Sequence, residues 1–261
     1  MTPIGIIISI GALLGAMTMD HENIGSLIKI SSMILVVGGS LGASMAGFEF
    51  RQIRVIPKAL LIVVKPRKGP DIRATIDSLL AIAKEARTNP LVLEELETDD
   101  MFLKKGIELI ISTSEPDRVA DLMATEIDGL RGRHQIAAKF FSDLAGYSPT
   151  FGILGTVVGL IGVLGQLSSP GKLGPAIASA FTATLWGVLL ANAVWLPISN
   201  KLRRLTDEEV SFREMVVEGL LTMQLNASTT ELKDRLYAHL SPSERGETPA
   251  RGPLEAPDAA A

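Results

Sequence analysis

Two long stretches without a charged residue constrain this chain more than any other feature. Residues 144–171 and 173–200 each hold 28 residues with no Asp, Glu, Lys or Arg, and Lys172 alone separates them. A helix that crosses the hydrocarbon core of a membrane needs about 20 mainly apolar residues. Each stretch therefore predicts one transmembrane helix, at residues 147–167 and 173–199.

Two further apolar stretches lie nearer the N-terminus. Residues 2–19 precede Asp20, and residues 30–48 lie between Lys29 and Glu49. The first stretch lacks the preceding basic residue and the Ala-x-Ala motif of a cleaved signal peptide, so we expect it to be retained as a span. The sequence thus predicts an all-α, polytopic membrane protein. It has four transmembrane helices and a helical cytoplasmic region between spans two and three.

Basic residues indicate the orientation of the spans. Six Lys or Arg residues lie between positions 51 and 68 and three between 201 and 204, whereas each of the two other connections holds one Lys. Loops rich in Lys and Arg stay on the cytoplasmic side. We therefore expect both termini and residues 49–146 to lie in the cytoplasm.

The polar parts of the chain show helical spacing of apolar residues. An apolar-rich helix is expected at Ile53–Val64, directly after span two. A second helix is expected to have one apolar face, formed by Ile72, Ile76, Leu79, Leu80 and Ala83. Asp71 is positioned to cap this second helix, which runs to Arg87. A break that contains Pro and Gly precedes this helix at residues 66–70, and Asn89-Pro90 starts the next helix. A long helix is expected from Pro116 towards the third span. The predicted regions are 1–48 (spans one and two), 49–146 (cytoplasmic helices), 147–200 (spans three and four), 201–240 (a C-terminal helix) and 241–261 (a disordered tail).

Sequence motifs for catalysis are missing. The chain has no cysteine, no phosphate-binding glycine loop with its lysine, and three widely separated histidines, so we expect neither an enzyme nor a bound cofactor or metal. A net charge of −4 gives no reason to expect nucleic acid as a partner. The span interiors contain no ionisable residue. A charge at mid-membrane costs at least ~2.5–3.5 kcal/mol and is kept only for a purpose, so a partner must supply the carboxylate if protons move.

The spans instead carry small and weakly polar residues. Small-residue stripes allow close packing of helices, either within the chain or between subunits. They comprise Gly152, Gly155, Gly159 and Gly162 in span three, Ala176, Ala180, Thr184, Gly187 and Ala191 in span four, and Gly38, Gly39, Gly42 and Ala46 in span two. The hydroxyls of Thr156 and Thr184 either bond to their own helix or face a partner helix and offer oxygen to a cation. Pro149 and Pro197 are either helix boundaries or hinges.

These residues resemble those of a known family. Residues 149–160, Pro-Thr-Phe-Gly-Ile-Leu-Gly-Thr-Val-Val-Gly-Leu, resemble the third-span signature of MotA and PomA stator subunits of the bacterial flagellar motor. Residues 180–187 and 196–202 resemble the fourth span, and residues 36–40 the second. Residues 99–106 resemble a cytoplasmic run of the family. The likeness extends over about residues 4–225.

The resemblance implies a bacterial inner-membrane protein that forms a homo-oligomeric ring, thought to be a pentamer, in contact with membrane lipid. The ring surrounds a MotB-type, single-span, peptidoglycan-binding subunit that carries the membrane aspartate. Passage of H⁺ or Na⁺ turns the ring against the rotor protein FliG. The alternatives are an ExbB/TolQ-type energiser, which usually has three spans, a stator-like part of a defence system, for which a long cytoplasmic tail is expected, and a passive structural membrane protein.

The resemblance also implies roles for single residues. Arg87 matches the arginine that contacts the rotor. Its acidic counterpart is Glu94, with Glu95 or Glu97 as alternatives. Pro149 and Pro197 match the family's two coupling prolines, and Thr156 and Thr184 match its pore-facing positions. Threonine at position 156 is typical of sodium-driven members, whereas Lys29 replaces an acidic residue that some of them have, so the ion stays open.

Overall fold

The computed structural model describes residues 2–21, 24–65, 69, 71–89, 92–95, 98, 100–165, 167–168 and 170–245. Over these ranges the secondary structure is helical and contains no strand, which confirms the all-α class. The chain divides into two compact units. The first, which we call the membrane unit, is Met1–Lys68 with Gly129–Glu208. The second, the polar unit, is Gly69–Asp128 with Glu209–Ala261.

Twelve helices are described in chain order. They are α1 (Thr2–Met19), α2 (Ile30–Ala46, with a π-helical turn at Ile34–Gly38), α3 (Phe50–Ile53), α4 (Ile56–Val64), α5 (Ile72–Thr88), α6 (Val92–Glu95), α7 (Met101–Ser112), α8 (Pro116–Leu164), α9 (Pro170–Leu189), α10 (Leu196–Gln224), α11 (Thr229–Tyr237) and α12 (Pro242–Arg245). A 3₁₀ turn at Ile24–Leu27 precedes α2, and a π-helical segment, Leu190–Trp195, joins α9 to α10.

Three helical segments are long and apolar enough to cross a membrane. They are Thr2–Met19, Pro116–Leu164 and Leu173–Gln224. The fourth predicted span is Ile30–Ala46, which is apolar but shorter. Its 17 residues correspond to about 25 Å at 1.5 Å per residue, slightly less than the thickness of the hydrocarbon core. The chain is therefore multi-pass, and a count of four spans stays a prediction.

Apolar side chains on these helices lie on the outside of the membrane unit. Ile7 and Ile8 of α1 are 69% and 65% exposed, and Ile153 and Ile161 of α8 are 59% and 64% exposed. Contiguous apolar surface of this kind indicates contact with lipid or with other subunits. It agrees with the membrane location that the uncharged stretches predict.

Aromatic and small residues form the core of the membrane unit beside α4. Phe140 makes edge contacts with Phe48 and Phe141, with ring centroids 5.5 and 5.7 Å apart. The hydroxyl of Ser199 donates to the carbonyl oxygen of Ala138 at 2.7 Å, which ties α10 to α8. Because this hydroxyl is fully buried, the bond also meets its need for a partner.

The polar unit has its own apolar core. Its fully buried members include Ile76, Leu79, Met123, Met215, Leu220 and Leu236. The carboxylate of Asp71 accepts from the Ala74 N–H at 3.1 Å, which confirms the predicted cap of α5. Asp100 caps α7 in the same way. Helical spacing in the sequence therefore marked the buried face of α5 correctly.

The structure divides the C-terminal helix predicted over residues 201–240. Helix α10 ends at Gln224, and Asn226 follows with a positive φ of 53°. Asn tolerates this left-handed conformation, which commonly ends helices. Ser228 then caps α11 through a bond from the Glu231 N–H at 3.1 Å. A short Asn-Ala-Ser segment thus ends one helix and begins the next.

Other predicted boundaries are met in part. The apolar helix expected after span two is divided at Arg54 and Val55 into α3 and α4, with Pro57 in the first turn of α4. Residues 241–245 of the predicted tail end in the short helix α12. Three predicted features lie outside the described residues. They are the break at residues 66–68 and 70, Pro90 at the expected start of a helix, and residues 246–261 of the tail.

Candidate ion-pathway site

Glycines of α8 lie directly against α9 and bring the two backbones together. A Cβ placed on Gly152 lies 3.0 Å from the carbonyl oxygen of Ala183 and from the Cα of Thr184. A Cβ placed on Gly187 lies 2.6 Å from the carbonyl oxygen of Ser148. The Gly187 distance is shorter than ordinary Cβ contacts and the Gly152 distances are unusually tight, so glycine at both positions permits this approach.

The same stripe continues along α8. A Cβ on Gly155 meets Ala183, and one on Gly159 meets Ala180 at 2.6 Å. Gly162, in contrast, has no neighbour within 4 Å at its Cβ position. The contacts of Gly152, Gly155, Gly159 and Gly187 therefore favour packing within the chain for these four glycines.

Two threonine hydroxyls meet beside this crossing. Thr156 Oγ1 and Thr184 Oγ1 form a hydrogen bond with each other. Both also lie within hydrogen-bond distance of the Gly152 carbonyl oxygen, at 3.2 Å for Thr156 and 3.1 Å for Thr184. Thr156 Oγ1 is 3.5 Å from the Ala180 carbonyl oxygen as well. The result is a group of four oxygens, which we call the oxygen cluster.

The oxygen cluster has more acceptors than protons. Each hydroxyl can donate one hydrogen bond and accept two, so Thr156 and Thr184 cannot satisfy every contact at once. Neutral hydroxyl and carbonyl oxygens suit hard cations, and they can also pass hydrogen bonds to a neighbouring group. No member can carry a proton as a carboxylate does. Both side chains are half-buried, so the cluster is not sealed within the chain.

Both threonines form hydrogen bonds within the chain. Thr156 bonds to a carbonyl of its own helix, as an isolated membrane threonine commonly does. Thr184 instead donates across the crossing to the other helix. Whether the pair faces an ion path stays a prediction.

The described residues contain no cluster of typical metal-binding side chains. Within those ranges no three His, Asp or Glu side chains lie together as a possible metal site. The oxygen cluster offers ligand chemistry of another kind, through neutral hydroxyl and carbonyl oxygens.

The two prolines lie in continuous helix. Pro149 is inside α8, which continues to Leu164. Pro197 is the second residue of α10, and the π-helical segment Leu190–Trp195 precedes it without a break. The helix-boundary alternative is therefore wrong for Pro149. Proline removes one backbone hydrogen bond, so each helix is weakened locally, and a role as coupling prolines stays a prediction.

The predicted rotor-contact residues belong to the polar unit. Arg87 is exposed in the last turn of α5, and Glu94 is exposed on α6. The backbone of Glu95 ends α6, whereas Glu97 lies outside the described residues. Exposure is necessary for contact with another protein, and the rotor role itself stays a prediction.

Several contacts of the site cannot be read from the sequence. The indole N–H of Trp186 donates to the Leu27 carbonyl oxygen at 2.7 Å, and the Ser32 hydroxyl donates to the Ser179 carbonyl oxygen at 3.2 Å. These bonds attach the start of α2 to α9. Ala183 also belongs to the stripe of α9, although the predicted stripe passed through Thr184 instead. Each contact depends on a long-range pairing of helices.

Known proteins share this architecture over nearly the whole chain. A model of the MotA/TolQ/ExbB proton channel family matches residues 94–215. Motility protein A of Bacillus subtilis is 30% identical over 245 residues, which cover 93% of this chain and 91% of that protein. This chain belongs to the motility protein A family. The predicted resemblance to MotA-type stator subunits is thereby confirmed.

Two further comparisons agree with this family. The chemotaxis protein PomA of Vibrio alginolyticus is 29% identical over 228 residues, covering 85% of this chain and 88% of PomA. The structure of the flagellar MotAB stator complex from Bacillus subtilis matches with a TM-score of 0.85 and 30% identity, covering 93% of this chain and 96% of the matched chain. The chain is a MotA-type stator subunit, and an ExbB/TolQ-type energiser is not favoured.

Proposed function

We propose that this chain forms, with a MotB-type partner, a channel for H⁺ or Na⁺ whose ion flow generates torque on the flagellar rotor. The oxygen cluster at the α8–α9 crossing carries the proposal, because it places two hydroxyls and two carbonyl oxygens within an otherwise apolar pair of helices. The solved relative is a complex of MotA with MotB, which supports a partner of that type.

The partner supplies what this chain lacks. The predicted span interiors contain no Asp, Glu, Lys, Arg or His. A membrane carboxylate on a single-span partner, beside the oxygen cluster, gives the ion a charged resting point. The cluster then contributes oxygen ligands or hydrogen bonds. Each ion that crosses releases about 2.3 kcal/mol per 100 mV, so a few ions suffice for one mechanical step.

The proposed assembly rests on the family resemblance, and the exposed apolar surfaces agree with it. Apolar faces such as that of α1 suit contact with lipid and with further copies of the chain, and we propose a pentameric ring around the partner in the bacterial inner membrane. Both termini and the polar unit lie in the cytoplasm in this arrangement. The polar unit then presents Arg87 and one of Glu94, Glu95 or Glu97 to the rotor protein FliG.

The hydroxyls provide the direct test. Valine has nearly the shape of threonine without the hydroxyl, so Thr156→Val and Thr184→Val remove the oxygen and keep the packing volume. Thr182→Val is the matched control, because the Thr182 hydroxyl bonds to the Ala178 carbonyl oxygen of its own helix at 2.8 Å. We expect the first two variants to lose swimming and ion-driven torque, and the control to keep both.

Assembly must be checked in the same strains. Each variant should reach the membrane and co-purify with its partner at the level of the unaltered chain. Normal swimming by the Thr156→Val/Thr184→Val double variant contradicts the proposed role of the oxygen cluster. Motor speed measured while external Na⁺ is varied at a fixed proton gradient then identifies the transported ion.

A further inference from the structure

The segment directly after α2 has a fixed depth in the membrane. Helix α2 ends at Ala46, and α3 begins at Phe50. Three intervening residues span at most about 10 Å even when fully extended. Since α2 is a predicted span, α3 and the start of α4 are held at the level of the lipid headgroups by the chain itself.

Helix α4 is attached to the membrane unit along one face. Ile56, Ala59 and Val63 recur at steps of three and four and are buried in its core. The opposite face is apolar as well, because Leu61 and Val64 are 68% and 58% exposed. At headgroup level, such exposed apolar side chains are suited to the boundary between headgroups and acyl chains.

The short helix α3 has the same character. Phe50 is 70% exposed, and the guanidinium carbon of Arg54 lies 4.7 Å from the centre of its ring. An apolar ring beneath a cation is the arrangement expected where the ring enters the acyl region and the charge stays among the headgroups. Glu49, the nearest acid in the sequence, is the N-cap residue of α3, and its N–H donates to Gln52 Oε1 at 3.0 Å.

The charge of this segment has one sign. Residues 50–69 contain six Lys or Arg and no Asp or Glu. Four of the six are described, namely Arg51, Arg54, Lys58 and Lys65, and all four are exposed. In the ranges that the structure covers, no ion pair engages any of these four. Within the described residues, their charges are therefore open to anionic groups from outside the chain.

We propose that α3 and α4 form a binding surface for anionic phospholipids. The headgroup phosphates contact Arg51, Arg54, Lys58 and Lys65, while Phe50, Leu61 and Val64 contact the acyl chains. Charge complementarity and the direct continuity with a membrane span select lipid as the occupant, because clusters of four to eight basic residues beside a span bind anionic headgroups. The surface is separate from the oxygen cluster and depends only on membrane insertion.

The test measures lipid preference of the full chain in complex with its partner. The complex is reconstituted in bilayers of phosphatidylcholine that contain a trace of one spin-labelled lipid. The fraction of the label that is immobilised at the protein is then compared between phosphatidylglycerol and phosphatidylcholine. We expect a several-fold preference for phosphatidylglycerol that declines as NaCl is raised, since salt screens exposed charges.

A four-site variant and a matched control locate the preference. The test variant is Arg51→Gln/Arg54→Gln/Lys58→Gln/Lys65→Gln, and the control replaces two lysines and two arginines that are also exposed but lie elsewhere. The control variant is Lys84→Gln/Lys104→Gln/Arg118→Gln/Arg133→Gln. We expect the preference to fall to near one in the test variant and to persist in the control.

Other results overturn the proposal. An unaltered complex that immobilises both lipids equally, or a test variant that keeps the preference, refutes the binding surface. Loss of the preference on adding inorganic phosphate at constant ionic strength assigns the residues to a free-anion site instead. If the test variant does not fold, the salt series on the unaltered complex still decides, because a preference insensitive to salt refutes a charge-based surface. Thr156→Val/Thr184→Val should keep the lipid preference, which separates this result from failure of the proposed ion path.

Discussion

Replacing Gly187 by alanine should force α8 and α9 apart where Gly187 meets Ser148. A Cβ at this position lies 2.6 Å from the Ser148 carbonyl oxygen and 3.1 Å from the Gly152 Cα. Both neighbours are backbone atoms, which cannot rotate away as the end of a side chain can. To reach the 3.4 Å at which ordinary contact begins, the first distance must open by about 0.8 Å.

The magnitude of the effect is found by comparison with a glycine in open space. Gly42 lies inside α2, and its Cβ position has no neighbour within 4 Å. Alanine is favoured over glycine in a helix by up to about 1 kcal/mol, and this gain is common to both replacements. Overpacking typically costs about 1–3 kcal/mol and applies only to Gly187. We therefore expect Gly187→Ala to be less stable than Gly42→Ala by about 1–3 kcal/mol.

Unfolding of the purified chain in mixed micelles measures this difference. The chain has two tryptophans, Trp186 and Trp195, and both belong to the membrane unit, so tryptophan fluorescence during a titration with sodium dodecyl sulfate follows the unfolding of that unit. Gly187→Ala should unfold at a lower mole fraction of dodecyl sulfate than Gly42→Ala. If both variants unfold together, the close backbone approach is not a source of stability and the reasoning is refuted. Motility should fall as well, because Thr184 moves with Gly187.

Three further predictions concern the polar unit. Asp100→Ala removes the carboxylate that accepts from the Phe102 N–H at 2.8 Å, and urea unfolding should show a loss of about 0.5–2 kcal/mol, with no loss counting against the cap. Leu220→Ala empties a fully buried position and should lower the free energy of unfolding by about 2–5 kcal/mol in the same assay, whereas an unchanged midpoint argues against the apolar core. The hydroxyl and N–H of Ser241 donate to the carboxylate of Glu244 and hold the pKa of that carboxyl below its ordinary value. These bonds therefore stabilise the local turn when the pH is above the ordinary pKa, and the stabilisation is lost as the pH falls through the lowered pKa. Carboxyl titration by NMR should show the pKa of Glu244 rising towards its ordinary value in Ser241→Ala, and an unchanged titration would refute that cause.

Local patterns predicted much of the helix content. Uncharged stretches located the apolar helices, and the spacing of Ile76 and Leu79 identified the buried face of α5. Asp71 was identified as a cap because an N-cap bond joins residues three positions apart. Each of these features depends on neighbours in the sequence, so the sequence contains the necessary information.

Boundaries were less well predicted where two local tendencies compete. The apolar spacing of residues 201–240 continues past Gln224, yet Asn226 and Ser228 end one helix and begin another. The sequence left Pro149 open between a helix boundary and a hinge. Proline often ends a helix, but α8 continues across Pro149 to Leu164.

The sequence by itself determined that this chain has apolar helices long enough for a membrane and that their interiors lack an ionisable group. Only the tertiary structure decided which glycine meets which backbone and that Thr156 Oγ1 meets Thr184 Oγ1. Helical periodicity defines the face on which a residue lies, but it does not define the register or the rotation of a second helix against that face. Those depend on the packing of Gly152 against Thr184 and of Gly187 against Ser148, which lie more than 30 positions apart in the chain.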